Sequence, residues 1–137
     1  MKAKITWMNH RTFVAESGSG HAVVLDGAPE HGGRNLGVRP MEMLLMGLGG
    51  CTAFDVVMIL EKGREKVTGC EVSVEGERAT EDPKVFTKVR IVYELKGENL
   101  KPAAVERAIA LSMEKYCSAT IMFDKAGAEI EHEWRIV

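Results

Sequence analysis

Three cysteines, Cys51, Cys70 and Cys117, are the residues of this chain best suited to do chemistry. A thiolate is both a nucleophile and a metal ligand, and two thiols brought together form a reversible disulfide. An odd number of cysteines argues against the fully paired framework of a secreted domain. In a reducing cytosol such cysteines are buried, metal-bound or reactive. Cys51 follows Gly47, Gly49 and Gly50 within an otherwise apolar helix pattern. Each glycine costs about 0.5–1 kcal/mol relative to alanine in a helix, so three together need a reason. One is close approach of another backbone or of a substrate. Another is a break that starts a fresh helical turn at Cys51 and aims free N–H groups at its sulfur, favouring the thiolate. The plain alternative is a small core residue among small neighbours. A thiol with an ordinary pKa of about 8.5 is only slightly ionised at neutral pH, so reactivity requires a cation or a helix terminus nearby.

Asp55 lies one helical turn after Cys51 on the same face, where it either binds a site cation or raises the thiol pKa by like-charge repulsion. Cys70 sits at the start of an alternating strand and reads as structural. His10, His21, His31 and His132 are scattered, and none pairs with a cysteine at a zinc-finger spacing, so no metal site is expected. Gly18 and Gly20 are flanked by strand patterns and match no strand–glycine–helix nucleotide motif.

These residues are carried by a simple succession of elements. Lys2–Met8, Thr12–Glu16 and His21–Asp26 alternate as three strands, and Gly27–Arg39 is an irregular, glycine-rich loop. Pro40 opens a long helix that runs to Lys62, with Gly63 as its expected cap. Because the helix is apolar almost all round, it is expected to be buried. Cys70–Val74 and Val85–Leu95 alternate as two antiparallel strands. A second helix starts near Pro102, with Val105, Ile109, Leu111, Met113 and Tyr116 on its apolar side, and Cys117 at its end. Ser118–Lys125 forms a further short helix that Ser118 is placed to cap. Ile130, His132, Trp134 and Ile136 mark a last strand. The order β-β-β-α-β-β-α-α-β is an α+β layout, read as one domain over 1–137.

The composition of the 137-residue chain, 45% apolar and 28% charged with a formal charge of −2, is that of an ordinary globular protein. No basic run points to nucleic acid. The longest uninterrupted apolar run, Met43–Leu48, is too short to span a bilayer, and the alternating N-terminus shows no signal peptide.

Pro40-Met41-Glu42-Met43, then Gly49-Gly50-Cys51 and Asp55-Val56-Val57, together with Glu114-Lys115-Tyr116-Cys117-Ser118, resemble the OsmC/Ohr family of osmotically inducible and organic hydroperoxide resistance proteins. Within it the nearest likeness is to the YhfA-like branch. The resemblance covers nearly the whole chain. It implies an antiparallel sheet around a buried central helix in an intertwined cytoplasmic homodimer. It also implies a thiol-dependent peroxidase, without cofactor, that turns organic hydroperoxides into alcohols. By similarity Cys51 is the peroxidatic thiol and Cys117 the resolving one, and an external dithiol restores the pair. Met43, Leu44, Met46, Leu48 and Phe54 either line an apolar pocket for an alkyl tail or belong to the core.

The family's peroxidases hold the thiolate with an arginine that a glutamate orients, the glutamate directly following the proline. Here Met41 follows Pro40 and Glu42 comes one place later, a turn of about 100° on a helix. Glu42 is therefore either a site residue or a cap. Arg39 is nearest the helix start, Arg11 is placed more like the arginine of the Ohr subgroup, and Arg34 is a third candidate. The competing functional reading is a non-catalytic thiol redox sensor or small-ligand-binding homodimer.

Overall fold

The structure, a computed structural model, describes residues 1–137. It comprises two compact units, Met1–Leu44 and Leu45–Val137, with the boundary inside the long helix.

The first unit holds β1 (Ala3–Asn9), β2 (Thr12–Ser17) and β3 (Ala22–Leu25) as an antiparallel sheet in that order. The β2–β3 turn is tight enough to need a left-handed residue, which Gly20 supplies at φ 91°. The loop after β3 contains a short 3₁₀ turn, Pro29–His31. It is organised around Asp26, a carboxylate only 2% exposed. Asp26 Oδ1 accepts from the backbone N–H of Gly27 (2.7 Å) and Arg34 (3.3 Å), and Oδ2 from the N–H of Leu36 (3.2 Å) and from Thr12 Oγ1 (3.1 Å). Burial pushes this carboxyl up, but the bonds from Gly27, Leu36, Arg34 and Thr12 together outweigh it and leave the pKa below 3.8. Its contribution to stability is therefore full above the ordinary carboxylate pKa and lost as pH falls through the lower folded value. Asp26→Asn replaces an acceptor oxygen by a donor, so at least one amide loses its partner. Amide hydrogen exchange at Gly27, Arg34 and Leu36 is expected to speed up in this variant. Unchanged exchange would mean that something else holds the loop.

The long helix α1 spans Pro40–Lys62. It continues unbroken through the glycines, which excludes a fresh helical start at Cys51. Gly49 is explained instead by close approach: a Cβ there would lie 2.9 Å from Val74 Cγ2, whereas Gly47 and Gly50 face open space. The helix ends on Arg64 in the left-handed conformation (φ 62°) rather than on Gly63. Burial is one-sided. Leu48, Thr52, Asp55, Val56 and Leu60 are buried, whereas Met46 and Phe54 remain 56% and 71% exposed. An all-round apolar sequence marks no preferred face, so the pattern alone did not separate packed from open sides. By length and composition alone α1 is also sufficient to cross a membrane, although the run Met43–Leu48 by itself is not. The bonded carboxylate and packed face described below mark α1 as a core helix of its unit.

In the second unit β4 (Lys66–Arg78) and β5 (Phe86–Glu98) form a long antiparallel pair, and β6 (Glu129–Ile136) lies parallel to β5. The expectation of an antiparallel sheet thus holds for one of its two ladders. Alternation carries no strand direction, and the helical crossover between β5 and β6 permits the parallel return. Val89, Ile91, Tyr93 and Leu95 alternate inward from β5 and are fully buried. They make a core with Leu48, Val56 and Leu60 of α1 and with Val105, Ala108 and Ile109 of α2 (Pro102–Leu111). Burying side chains of this kind contributes about 1.5–3 kcal/mol each before entropy is counted. After α2 the chain widens into a π-helical turn, Ser112–Tyr116, closed by Cys117 N–H donating to Ser112 O at 2.8 Å. The short helix α3 (Ser118–Lys125) follows, capped not by Ser118 but by the Cys117 sulfur.

Candidate functional site

Helix α1 sets Cys51 and Asp55 on one face by their spacing, and the π-helical turn delivers Cys117 to the same place. The two sulfurs and an Asp55 carboxylate oxygen all lie within 4.8 Å of one another. Such π-turns recur at functional sites because the extra residue re-aims the following side chain. Cys51 is half-buried, and Cys117 is fully buried. Cys117 Sγ accepts from Thr120 N–H at 3.4 Å and from Thr120 Oγ1 at 3.0 Å. Burial pushes the Cys117 thiol above its ordinary value. The two Thr120 bonds pull against this, and the neighbouring Cys51 sulfur adds to the rise. These surroundings favour the thiol form of Cys117 over the thiolate. Within this unit no lysine or arginine hydrogen-bonds or ion-pairs with Cys51, Asp55 or Cys117.

Behind the thiols runs a buried chain of hydroxyls. Ser112 Oγ donates to Asp55 Oδ2 (3.2 Å), Thr52 Oγ1 lies 2.9 Å from Ser112 Oγ, and Tyr93 Oη lies 2.7 Å from Thr52 Oγ1. Because Ser112 gives its proton to Asp55 Oδ2, it accepts the Thr52 proton. Tyr93 is then left to donate to Thr52 or to Met113 Sδ, 3.5 Å away. Sequence reasoning missed these three residues. The available signal was a hydroxyl at each of two apolar helix faces, Thr52 beside Cys51 and Ser112 before the Cys117 motif.

Burial pushes the Tyr93 hydroxyl up to about 12, with the Thr52 hydrogen bond acting in the opposite direction. The unfolded phenol ionises near 10, so this stabilisation is full below that pH and is lost as pH rises through about 12, a change on the order of 2–3 kcal/mol. Tyr93→Phe removes the dependence. Urea unfolding should show wild type and variant converging as pH is raised through this window, whereas a constant gap would contradict the assignment.

The remaining candidates lie apart from this cluster in the chain. In the first unit Glu42 Oε1 accepts from Arg39 N–H at 2.9 Å and lies 3.9 Å from Arg39 Nε. Glu42 is thus both a cap of α1 and the ion-pair partner of Arg39, whose Nη1 also donates to Asn35 Oδ1 (2.6 Å) and Gly37 O (3.3 Å). Arg11 donates to the His10 carbonyl, and Arg34 to Asn9 and Thr12. Cys70 lies in the interior of β4 rather than at its start, outside the cluster, and burial pushes its thiol up. Leu48 belongs to the core and Met43 is half-buried, whereas Leu44, Met46 and Phe54 are exposed.

A family model described as OsmC-like protein matches residues 32–133. Protein YhfA of Escherichia coli K12 is 45% identical, covering 100% of this chain and 98% of its own length. Among solved structures, a hypothetical protein from Aquifex aeolicus superposes with a TM-score of 0.86 at 29% identity, over 99% of this chain and 95% of that one. An organic hydroperoxide resistance protein from Legionella pneumophila superposes with a TM-score of 0.70 at 15% identity, over 97% and 94%, and so shares the fold.

Proposed function

The chain belongs to the OsmC-like protein family, and on that premise we propose that it is a thiol-dependent peroxidase that reduces organic hydroperoxides with Cys51 and Cys117. The observation that carries this reading is the approach of the two sulfurs, one on α1 and one at the N-cap of α3, to within 4.8 Å. The name of the Legionella structure, a hydroperoxide resistance protein, supports the substrate class.

The half-buried Cys51 is the nucleophile, because the raised pKa and full burial of Cys117 disfavour it as a thiolate. The Cys51 thiolate attacks the distal peroxide oxygen, the O–O bond breaks, and the alkoxide leaves and takes a proton to become the alcohol. Cys51 is now a sulfenic acid. The Cys117 sulfur displaces its hydroxyl, water leaves, and a disulfide forms. An external dithiol then returns both thiols by exchange and is itself oxidised to a disulfide. The family resemblance makes Arg39 and Glu42 the arginine and glutamate proposed to stabilise the thiolate; they lie 3.9 Å apart, and the Arg39 guanidinium is hydrogen-bonded to Asn35 and Gly37. Arg11, bonded only to a carbonyl of its own hairpin, is the second candidate. We further propose a cytoplasmic homodimer. The exposed Met46 and Phe54 on α1 support burial against a second copy, and the free cysteines suit a reducing compartment.

Consumption of cumene hydroperoxide by wild type with a dithiol reductant tests the activity, and absence of turnover would refute it. A carboxylate rather than a cation beside Cys51 within the second unit favours a second reading, a redox sensor. That reading expects the same disulfide, formed once per oxidation event, without sustained turnover.

A further inference from the structure

We propose that the reduced cluster of Cys51, Asp55 and Cys117 is a binding site for a thiophilic divalent cation of the zinc class. The inference needs only the reduced side chains and does not depend on peroxidase turnover. Two sulfurs and a carboxylate oxygen are ligands that zinc prefers, and three protein ligands leave a fourth position for water. A tetrahedral zinc ion, with Zn–S of about 2.3 Å, sets its sulfurs about 3.8 Å apart. The three atoms already lie within 4.8 Å of one another, close to that spacing.

The surroundings are those of a ligand set and not of a chance encounter. Ser112 Oγ fixes Asp55 Oδ2 and leaves the other carboxylate oxygen free, while Thr52 and Tyr93 hold Ser112 from behind. Thr120 offers the Cys117 sulfur two donors, which suit a metal-bound thiolate.

Binding exchanges the two thiol protons for the metal and moves no electrons. It also makes the metal and the disulfide alternatives: sulfurs shared with a cation are not free to join each other, and joining them expels the cation. The expectation of no metal site rested on histidine spacing and did not weigh a set made of two distant cysteines and an aspartate.

The test is anaerobic titration of the full, reduced chain with Co²⁺, followed by displacement with Zn²⁺. The expected result is a near-ultraviolet thiolate-to-cobalt charge-transfer band that saturates at one metal per chain, with release of about two protons per metal. Cys51→Ser should remove most of the band, Asp55→Asn should weaken binding by about tenfold or more, and Cys70→Ser should change nothing. Asp55→Asn preserves side-chain shape, so it remains informative if a cysteine variant folds poorly. The proposal is overturned if wild type gives no charge-transfer band, if the band survives Cys51→Ser undiminished, if Asp55→Asn binds as wild type does, or if Cys70→Ser abolishes binding.

Discussion

Cys51→Ser is expected to lower hydroperoxide-driven dithiol oxidation by about three orders of magnitude or more, the scale seen when a covalent nucleophile is removed. The substitution is nearly isosteric, and Cys51 is half-buried in the middle of a continuous helix whose hydrogen-bonded ladder it does not interrupt. The fold should therefore persist, which circular dichroism and a normal unfolding midpoint can establish. A serine hydroxyl is not ionised at neutral pH and is a poor nucleophile toward peroxide oxygen, so what remains is background reaction of the reductant. A rate within about tenfold of wild type would remove Cys51 from the mechanism, whatever the fate of the other cysteines.

Cys117→Ser should behave differently. Serine is a favoured N-cap residue, so the bond that Thr120 N–H now gives to the Cys117 sulfur has a ready acceptor and α3 keeps its start. The first attack on peroxide does not involve Cys117, and each chain should release one alcohol at the wild-type rate. The Cys51 sulfenic acid then has no thiol beside it. It accumulates, is trapped by dimedone, and under excess peroxide passes to the sulfinic acid, so that turnover decays irreversibly. Sustained wild-type turnover by this variant, with no sulfinic acid in the mass spectrum, would show that resolution does not run through Cys117. The hydroxyl chain gives these variants a stable background. Thr52, Ser112 and Tyr93 bond to Asp55 and to each other independently of either sulfur.

The element order was readable because most segments carry a clean period. The inward residues of β5, Val89, Ile91, Tyr93 and Leu95, follow strict alternation, and all are buried. Of the expected apolar side of the second helix, Val105 and Ile109 are buried, whereas Tyr116 is 48% exposed. Ala108 on α2 and Ser112 in the turn after it are also buried, but their small side chains carry little hydrophobic signal. Where periodicity is silent, the reading failed. Alternation in β6 does not encode whether the strand runs with or against β5. An all-round apolar α1 does not say which side packs, and three glycines did not reveal that only Gly49 is needed for close approach. The π-helical turn leaves no mark in the sequence, yet it helps bring Cys117 to Cys51.

The site was legible in a corresponding way. The helical spacing of Cys51 and Asp55 put them on one face from the sequence alone. The pairing of Cys51 with Cys117 came from family resemblance, because no local rule connects residues on different helices. Thr52, Ser112 and Tyr93 went unnoticed since the hydrogen bonds that satisfy them are tertiary. Glu42 proved to be a cap and an ion-pair partner at once.

The central claim is that Cys51 and Cys117 oxidise to a common bond, and peptide mapping of the oxidised protein tests it most directly. Reduced wild type is treated with one equivalent of cumene hydroperoxide, remaining thiols are alkylated, and the digest is analysed without reductant. The account predicts a single linked peptide joining Cys51 to Cys117, lighter by two hydrogen atoms than its reduced parts, with Cys70 fully alkylated. A bridge that uses Cys70, or alkylation of both Cys51 and Cys117 after the peroxide has been consumed, would contradict it.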